Sequence, residues 1–323
     1  MKISLIATVK NEANSLPTLL DSIALQTRQP DEVVICDGGS TDSTLDILSA
    51  EKRFPLRVIE KPGSNISQGR NAAIEAATGD VIASTDAGVR LDPKWLEKLI
   101  TPTLTLPRDE MMSPGKEVVG GFFLPDPHTP FEVAMSATVL PQLDEIDPAK
   151  FLPSSRSLAF TKDAWRSVNG YPEWLDFCED LVFDIALLKK YGAFAFAPEA
   201  IAYFRPRPSL QSYFKQYYQY ARGDGKANLW LKRHLIRYAT YLIGIPLIEW
   251  LSLNLSPWCW LLYLIGAAIY LKRPYQRLNS LPGSGKSIDR AKVIAWIPII
   301  RVAGDLAKMI GYPVGILWRL ANR

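Results

Sequence analysis

The first third of the chain repeats one arrangement: a short apolar run rich in β-branched residues, a polar loop, then a stretch with helical periodicity. The runs are KISLIATV (Lys2–Val9), EVVIC (Glu32–Cys36), LRVIE (Leu56–Glu60) and DVIAST (Asp80–Thr85). Short, mostly apolar, β-branched segments of this kind are the pattern of strands buried in a parallel sheet. Helices are expected between them. Ser15–Gln26 has a proline near its start, where a missing N–H costs nothing. Thr41–Arg53 opens on Ser, Thr and Asp cap candidates, and Ser67–Ala77 is closed by Gly79. Pro93–Leu106 follows Asp92 as a capped helix. Alternation at this pace predicts an α/β fold with a doubly wound, mostly parallel sheet.

Polar residues cluster where each strand ends. Asn11 and Glu12 follow the first strand, Asp37 the second and Asp86 the fourth, and Arg70 lies beyond the third. Open α/β sheets bind ligands at those carboxyl ends. Each residue has a plainer reading. DGGSTDST (Asp37–Thr44) reads equally as a glycine-rich turn with a helix cap, and Asp86 as a turn residue. Their convergence at one edge favours a site.

Several function classes are excluded. The first loop, ATVKNEANS, lacks the G-x-G-x-x-G of dinucleotide folds. LPGSGKS (Leu281–Ser287) lacks the first glycine of a phosphate loop, where Ser280 stands, and reads as a flexible linker. The net charge, 37 − 33 = +4, is too mild to indicate a nucleic-acid partner. His128 and His234 are too few for a histidine metal site. Cys36, Cys178 and Cys259 lie far apart and are expected as reduced thiols of an intracellular protein. The apolar run of MKISLIATVKNE is too short for a secretory signal.

Together, TVKNE (Thr8–Glu12), DGGSTD (Asp37–Asp42), GRNAA (Gly69–Ala73), TGDVI (Thr78–Ile82), TDAG (Thr85–Gly88) and CED (Cys178–Asp180) make the N-terminal two-thirds resemble a family 2 glycosyltransferase of the GT-A fold. The resemblance implies inverting transfer of a sugar from a nucleotide-diphosphate donor. It implies that Thr8, Glu12 and Asp37 hold the nucleoside, that Arg70 approaches the nucleoside or phosphates, and that Asp86 binds the ribose side of the donor. It selects Asp180 as the general base, with Glu179 beside it at a helix start where the dipole favours negative charge. Gln219-x-x-Arg222 resembles part of the motif that processive members place over the donor, with Gly223 where a Trp normally follows. Its plainer reading is a solvated basic turn. Trp165, Tyr171 and Trp174 are candidates for stacking on sugar rings, although aromatics are more often core.

One departure stands out. The family's second, metal-binding aspartate is Gly88 here. Asp86 is then the candidate metal ligand, making a weak or absent site for a divalent cation (Mn2+ or Mg2+). The leaving diphosphate still requires positive charge, and Arg70 and Arg222 are expected to share that task.

The last hundred residues change character. Leu235–Leu253 would span about 28 Å as a helix and Pro257–Leu271 about 22 Å. Lys232, Arg233 and Arg237 flank one outer end, and Lys272, Arg273 and Arg277 the other. This predicts a membrane hairpin over 235–271 with its basic ends in the cytoplasm; the alternative is a buried helical pair. Val293–Leu320 carries Arg301, Asp305 and Lys308 as one polar stripe, as expected of a helix lying in a membrane interface. The predicted organisation is a glycosyltransferase domain over 1–228 and a helical membrane-associated region over 229–323. The expected location is the cell membrane with the catalytic domain cytoplasmic, in cell-envelope polysaccharide synthesis. The expected partners are a nucleotide-sugar donor, a lipid-linked or glycan acceptor and the membrane. Two alternatives remain: a polyprenyl-phosphate glycosyl synthase, and an inactive sugar-nucleotide-binding scaffold.

Overall fold

The structure is a computed structural model and describes residues 1–104, 117–280 and 288–322. The Leu281–Ser287 linker and the end of the Pro93–Leu106 helix lie outside the described residues. Packing divides the chain into two units: residues 1–126 with 143–205, and residues 127–142 with 206–323. The division does not fall at 228/229, because residues 206–228 pack with the second unit and residues 127–142 join them.

The first unit holds an eight-stranded sheet. Its strands are β1 (Ile3–Val9), β2 (Glu32–Asp37), β3 (Leu56–Glu60), β4 (Val81–Ser84), β5 (Val89–Leu91), β6 (Val118–Pro125), β7 (Leu158–Thr161) and β8 (Ala195–Phe204). They lie in the order β3-β2-β1-β4-β7-β6-β8-β5. The four expected strands are parallel neighbours. The rest of the sheet is mixed: β7 runs antiparallel to both β4 and β6, and β5 antiparallel to β8. "Mostly parallel" therefore describes only the N-terminal half.

The helices α1 (Leu16–Ala24), α2 (Thr44–Ala50), α3 (Ile66–Ala76), α4 (Trp95–Leu104), α6 (Lys162–Ser167) and α7 (Glu179–Tyr191) cover the sheet, with α5 (Pro130–Val139) belonging to the second unit. Strand alternation sends Ile3, Leu5, Ala7, Val33 and Ile35 to one face, against α1 and α4. Ile6, Val34 and Cys36 go to the other, against α3 and α7. Both faces are dry, which is why the strands read as continuous apolar runs. Gly69 on α3 lets that helix close on β1, since a Cβ there would lie 2.9 Å from the Thr8 methyl.

The second unit is helical: α5, α8 (Leu210–Ala227), α9 (Leu231–Ala239), α10 (Ile245–Asn254), α11 (Leu261–Leu278) and α12 (Arg290–Ala321). The α8 and α12 backbones touch through glycine. A Cβ on Gly311 would sit 2.3 Å from the Tyr218 carbonyl, and one on Gly315 2.1 Å from that of Arg222. Gln219 and Arg222 thus lie within a packed helix, not on a solvated turn.

Among the described residues no helix is long and apolar enough to cross a membrane. A π-helical turn, Thr240–Gly244, separates α9 from α10, and α11 ends in charged and polar residues from Lys272 onward. Arg237 does not flank the unit. Its Nε donates to Asp305 at 2.7 Å. The α12 stripe also turns the opposite way from the one expected: Asp305 accepts from Arg237, Tyr270 and Tyr241 inside the unit. Val302, Leu306, Ile310 and Leu317, 41–65 % exposed, lie outside. Leu253, Trp258 and Ile269 are exposed as well, each above 70 %. This unit has an apolar core of its own, including Phe131, Val133, Ile297 and Ile300, with the Asp305 cluster beside it, and it is apolar on much of its surface as well.

Candidate active site

The first unit collects charge where its central strands end. Asp86 follows β4 directly, and α3 brings Arg70 over it. Arg70 is 3 % exposed; it donates from Nη2 to Asp86 Oδ1 at 2.9 Å and from Nη1 to Glu179 Oε1 at 2.7 Å. Its guanidinium also lies over the Tyr171 ring, 5.2 Å from the centroid. Residues widely separated in sequence are thus joined by one side chain.

Arg156, which did not stand out in the sequence, completes the cluster. Its Nε lies 3.4 Å from Asp86 Oδ2, and its guanidinium stacks on Phe204 at 4.3 Å. Strand register explains the encounter. In the antiparallel β4–β7 pair Ala83 faces Ala159 and Ser84 faces Leu158, so paired numbers sum to 242. Continued past the strand ends, that sum sets residue 86 opposite residue 156. Thr85 Oγ1 ties the two ends together by donating to the Arg156 carbonyl at 3.0 Å. The only sequence signal was an arginine two residues before a strand whose pairing partner was unknown.

Glu179 and Asp180 open α7, as expected. Cys178 before them takes a left-handed conformation, φ +65°, uncommon for a residue with a Cβ. Strain of this kind is often found at functional sites. The three acids on α7 differ from Asp86. Burial tends to raise the Asp86 pKa, but Arg70 and Arg156 outweigh it and hold the carboxyl below its ordinary value. Burial, then the Asp180 charge, push Glu179 up to about 7. Asp180 is raised by burial, against the pull of Arg70. Asp184, one turn further on, is raised well above its ordinary value by burial and then Asp180, and neither of its oxygens has a hydrogen-bond partner.

Asp184 therefore carries a stability signature. The folded chain keeps a proton that the unfolded chain releases above about pH 4, so stability falls as pH rises from there. Asp184→Asn retains the shape of the neutral acid. It is expected to stabilise the fold and so raise the melting temperature at pH 8, with the gain shrinking toward pH 4. Thermal melts at the two pH values check this.

The expected nucleoside contacts lie on the neighbouring loops. Thr8 is half-buried near the end of β1. Glu12 accepts from Ser15 Oγ, and its N–H donates to Thr44 Oγ1 at 2.9 Å. Asp37 is 1 % exposed and spends both oxygens on its own turn, accepting from the Gly39 and Ser40 N–H groups at 2.9 Å and from Ser40 Oγ. The turn in DGGSTD is thus realised, whereas Ser43, at the cap of α2, makes no side-chain cap hydrogen bond. Arg222 lies on α8 in the second unit. Trp165 and Tyr171 are core, at 9 % and 1 % exposure, whereas Trp174 is 48 % exposed and lines a cavity of about 390 Å3 with Tyr171 and Glu173.

Among the described residues no three His, Cys, Asp or Glu side chains group to hold a cation. Both Asp86 oxygens are taken by arginine. A Cβ on Gly88 would meet nothing within 4 Å, so the place of the family's second aspartate is open space.

Comparison with known proteins bears on this geometry. Residues 4–116 match the model of Glycosyl transferase family 2. An undecaprenyl-phosphate 4-deoxy-4-formamido-L-arabinose transferase of Serratia proteamaculans is 31% identical over 31% of this chain and 32% of its own length. The O-antigen chain rhamnosyltransferase RfbN of Salmonella typhimurium is 24% identical over 66% of this chain and 71% of its own. The chain spans about a third of the length of the first curated relatives it matches. Among solved structures, a mannosyltransferase of Pyrobaculum calidifontis in complex with GDP-Man and Mn2+ aligns over 95% of this chain and 87% of its own, with a TM-score of 0.62 at 16% identity. The fold is therefore the GT-A type, and residues 4–116 are the part of the chain that matches glycosyl transferase family 2.

Proposed function

We propose that the protein is an inverting glycosyltransferase that moves a sugar from a nucleotide-diphosphate donor to a lipid-linked or polysaccharide acceptor. The observation that carries this reading is the Arg70 bridge, which sets Asp86 and Glu179, and with Glu179 the base candidate Asp180, in one partly buried cluster at the strand ends. Asp180 takes the proton of the acceptor hydroxyl as its oxygen attacks the anomeric carbon. The nucleoside diphosphate leaves from the opposite face, and configuration inverts. Raised pKa values suit the acids on α7 to accept and hold that proton. Arg70 is committed to two carboxylates, so the cation available to the diphosphate is Arg156, whose longer contact with Asp86 a phosphate oxygen would replace. Asp86 and Glu12 bind the ribose side of the donor, while Asp37 shapes the turn after β2, whose loop holds Glu12 through Thr44.

The outward apolar residues of the second unit support a lipid surface as the surroundings of that unit, with the catalytic unit on the cytoplasmic side. Flotation with phospholipid vesicles tests this, and protein remaining at the bottom of the gradient would refute it. The undecaprenyl-phosphate relative supports a polyprenyl-phosphate acceptor as the second reading.

The decisive experiment is a thermal-shift screen of nucleoside diphosphates with Mn2+ and with EDTA. One nucleotide is expected to stabilise the protein in both, since binding to the folded state raises apparent stability. Arg156→Gln should weaken that nucleotide about tenfold or more, the scale of one charge-assisted pair. Stabilisation that vanishes in EDTA and ignores Arg156→Gln would show a metal-dependent donor site. No stabilisation by any nucleotide would sink the donor reading.

A further inference from the structure

The second unit encloses a cavity of about 220 Å3 that the transfer reaction does not use. Tyr213, Tyr217, Arg277, Arg301, Asp305 and Lys308 line it. At about 30 Å3 per water, it has room for a phosphate or diphosphate group. On its walls Arg301 and Lys308 flank one carboxylate, Asp305. That carboxylate is already satisfied from outside this set by Arg237 at 2.7 Å and Tyr270 at 2.5 Å.

Arg301 and Lys308 form no ion pair among the described residues. Each rests on an aromatic face instead, Arg301 over Tyr270 at 4.7 Å and Lys308 over Tyr217 at 4.8 Å. The Arg301 Nε is buried with no hydrogen-bond partner. Burial, followed by Arg237, holds the Lys308 ammonium down to about 8. Cations held away from water with no direct ion-pair partner are costly in a folded protein, although Asp305 and Asp224 still pull on Lys308. Surface arginines and lysines normally reach water, but these turn inward while their neighbours Val302 and Leu306 face out.

We propose that this cavity is an anion site that takes a phosphate or diphosphate group carried on a lipid. Arg301 supplies a forked donor suited to phosphate oxygens, Lys308 a second charge, and Tyr217, kept protonated by its burial, a neutral O–H donor. A headgroup bound there would leave its hydrocarbon chain to the apolar exterior of the same unit. The anion site stands on the second unit's own residues; only the choice of a lipid-borne phosphate rests on the acceptor reading above.

The test is calorimetry on the full chain with farnesyl phosphate, farnesol and inorganic phosphate as probes. Arg301→Gln and Lys308→Gln are compared with Arg166→Gln, which removes an exposed charge paired with Asp163 in the first unit. Farnesyl phosphate should bind the wild type, and each cavity variant should weaken it at least tenfold (about 1.4 kcal/mol), with Arg166→Gln unchanged and all melting temperatures retained. Farnesol should not discriminate among the proteins. Equal farnesyl phosphate affinity in all variants overturns the site. Inorganic phosphate binding as tightly as farnesyl phosphate, with the same losses in the variants, keeps the anion site and overturns the lipid source. A protein that binds farnesyl phosphate in this pattern but no nucleotide retains this site and loses the donor reading; the opposite result does the reverse.

Discussion

Asp180→Asn is expected to lower turnover by about 10²–10⁴, the usual contribution of one general base, with nucleotide affinity kept and the melting temperature kept or raised, since burial already disfavours the Asp180 charge. Asparagine has nearly the same shape, so the α7 N-terminus and the Arg70–Glu179 contact persist. The amide cannot take the acceptor proton. The change has a second, electrostatic signature. Asp180 is the largest charge acting to raise Glu179, after burial itself. Removing it should lower the Glu179 pKa, and the residual activity should show an acid limb at lower pH than the wild type. The measurements are kcat against pH for both proteins, with the nucleotide-sugar whose diphosphate scores in the thermal-shift screen. Unchanged kcat in the variant would remove Asp180 from the mechanism. A loss of melting temperature equal to that of an unfolded control would make the role structural.

Arg70→Gln is expected to destabilise the chain by about 3–5 kcal/mol, the cost of leaving buried charges uncompensated when one partner of a buried pair is removed. Arg70 serves two carboxylates and is almost fully buried, so water cannot take over its role. The loss should depend on pH. Asp86 titrates below its ordinary value in the folded chain, chiefly because Arg70 overcomes the effect of burial. It therefore contributes stability above the unfolded value of about 3.9, and that contribution disappears as pH falls through the folded value. The deficit of Arg70→Gln should thus be largest near neutrality and shrink in acid. Adding Asp86→Asn and Glu179→Gln to the variant should recover much of it, because the two carboxylates that lose Arg70 are then neutral. Urea unfolding at pH 7 and pH 4 gives the comparison. A deficit below about 1 kcal/mol at pH 7 would mean that Arg70 is an ordinary surface-like pair.

Much of this could be read before any coordinates. β1 to β4 are announced by their β-branched runs, because a strand buried on both faces needs apolar side chains at nearly every position. Glu179 and Asp180 are legible because a helix N-terminus tolerates acids locally. The later strands are not. β5 is three residues long, and β6 to β8 pair out of chain order, so no local period marks them. Arg222 illustrates the limit of motif reading. Its Gln-x-x-Arg spacing is equally that of one helical turn, and the glycines that lock α8 lie about ninety residues downstream on α12.

By itself, then, the sequence determined the parallel half of the sheet, the positions of Asp86, Glu179 and Asp180 at element ends, and the loss of the second motif aspartate at Gly88. These are local facts, set by side-chain type and by spacings of a few residues. Tertiary structure alone decided what those residues face. Antiparallel register placed Arg156 across from Asp86, and the approach of α3 to β1 carried Arg70 between two carboxylates. Packing turned Arg301, Asp305 and Lys308 inward and their apolar neighbours outward. A helical stripe has the same period whichever way it faces. Its direction depends on which partners cost least to bury, and here Arg237, Tyr241 and Tyr270 satisfied Asp305 from inside, so the polar face went in.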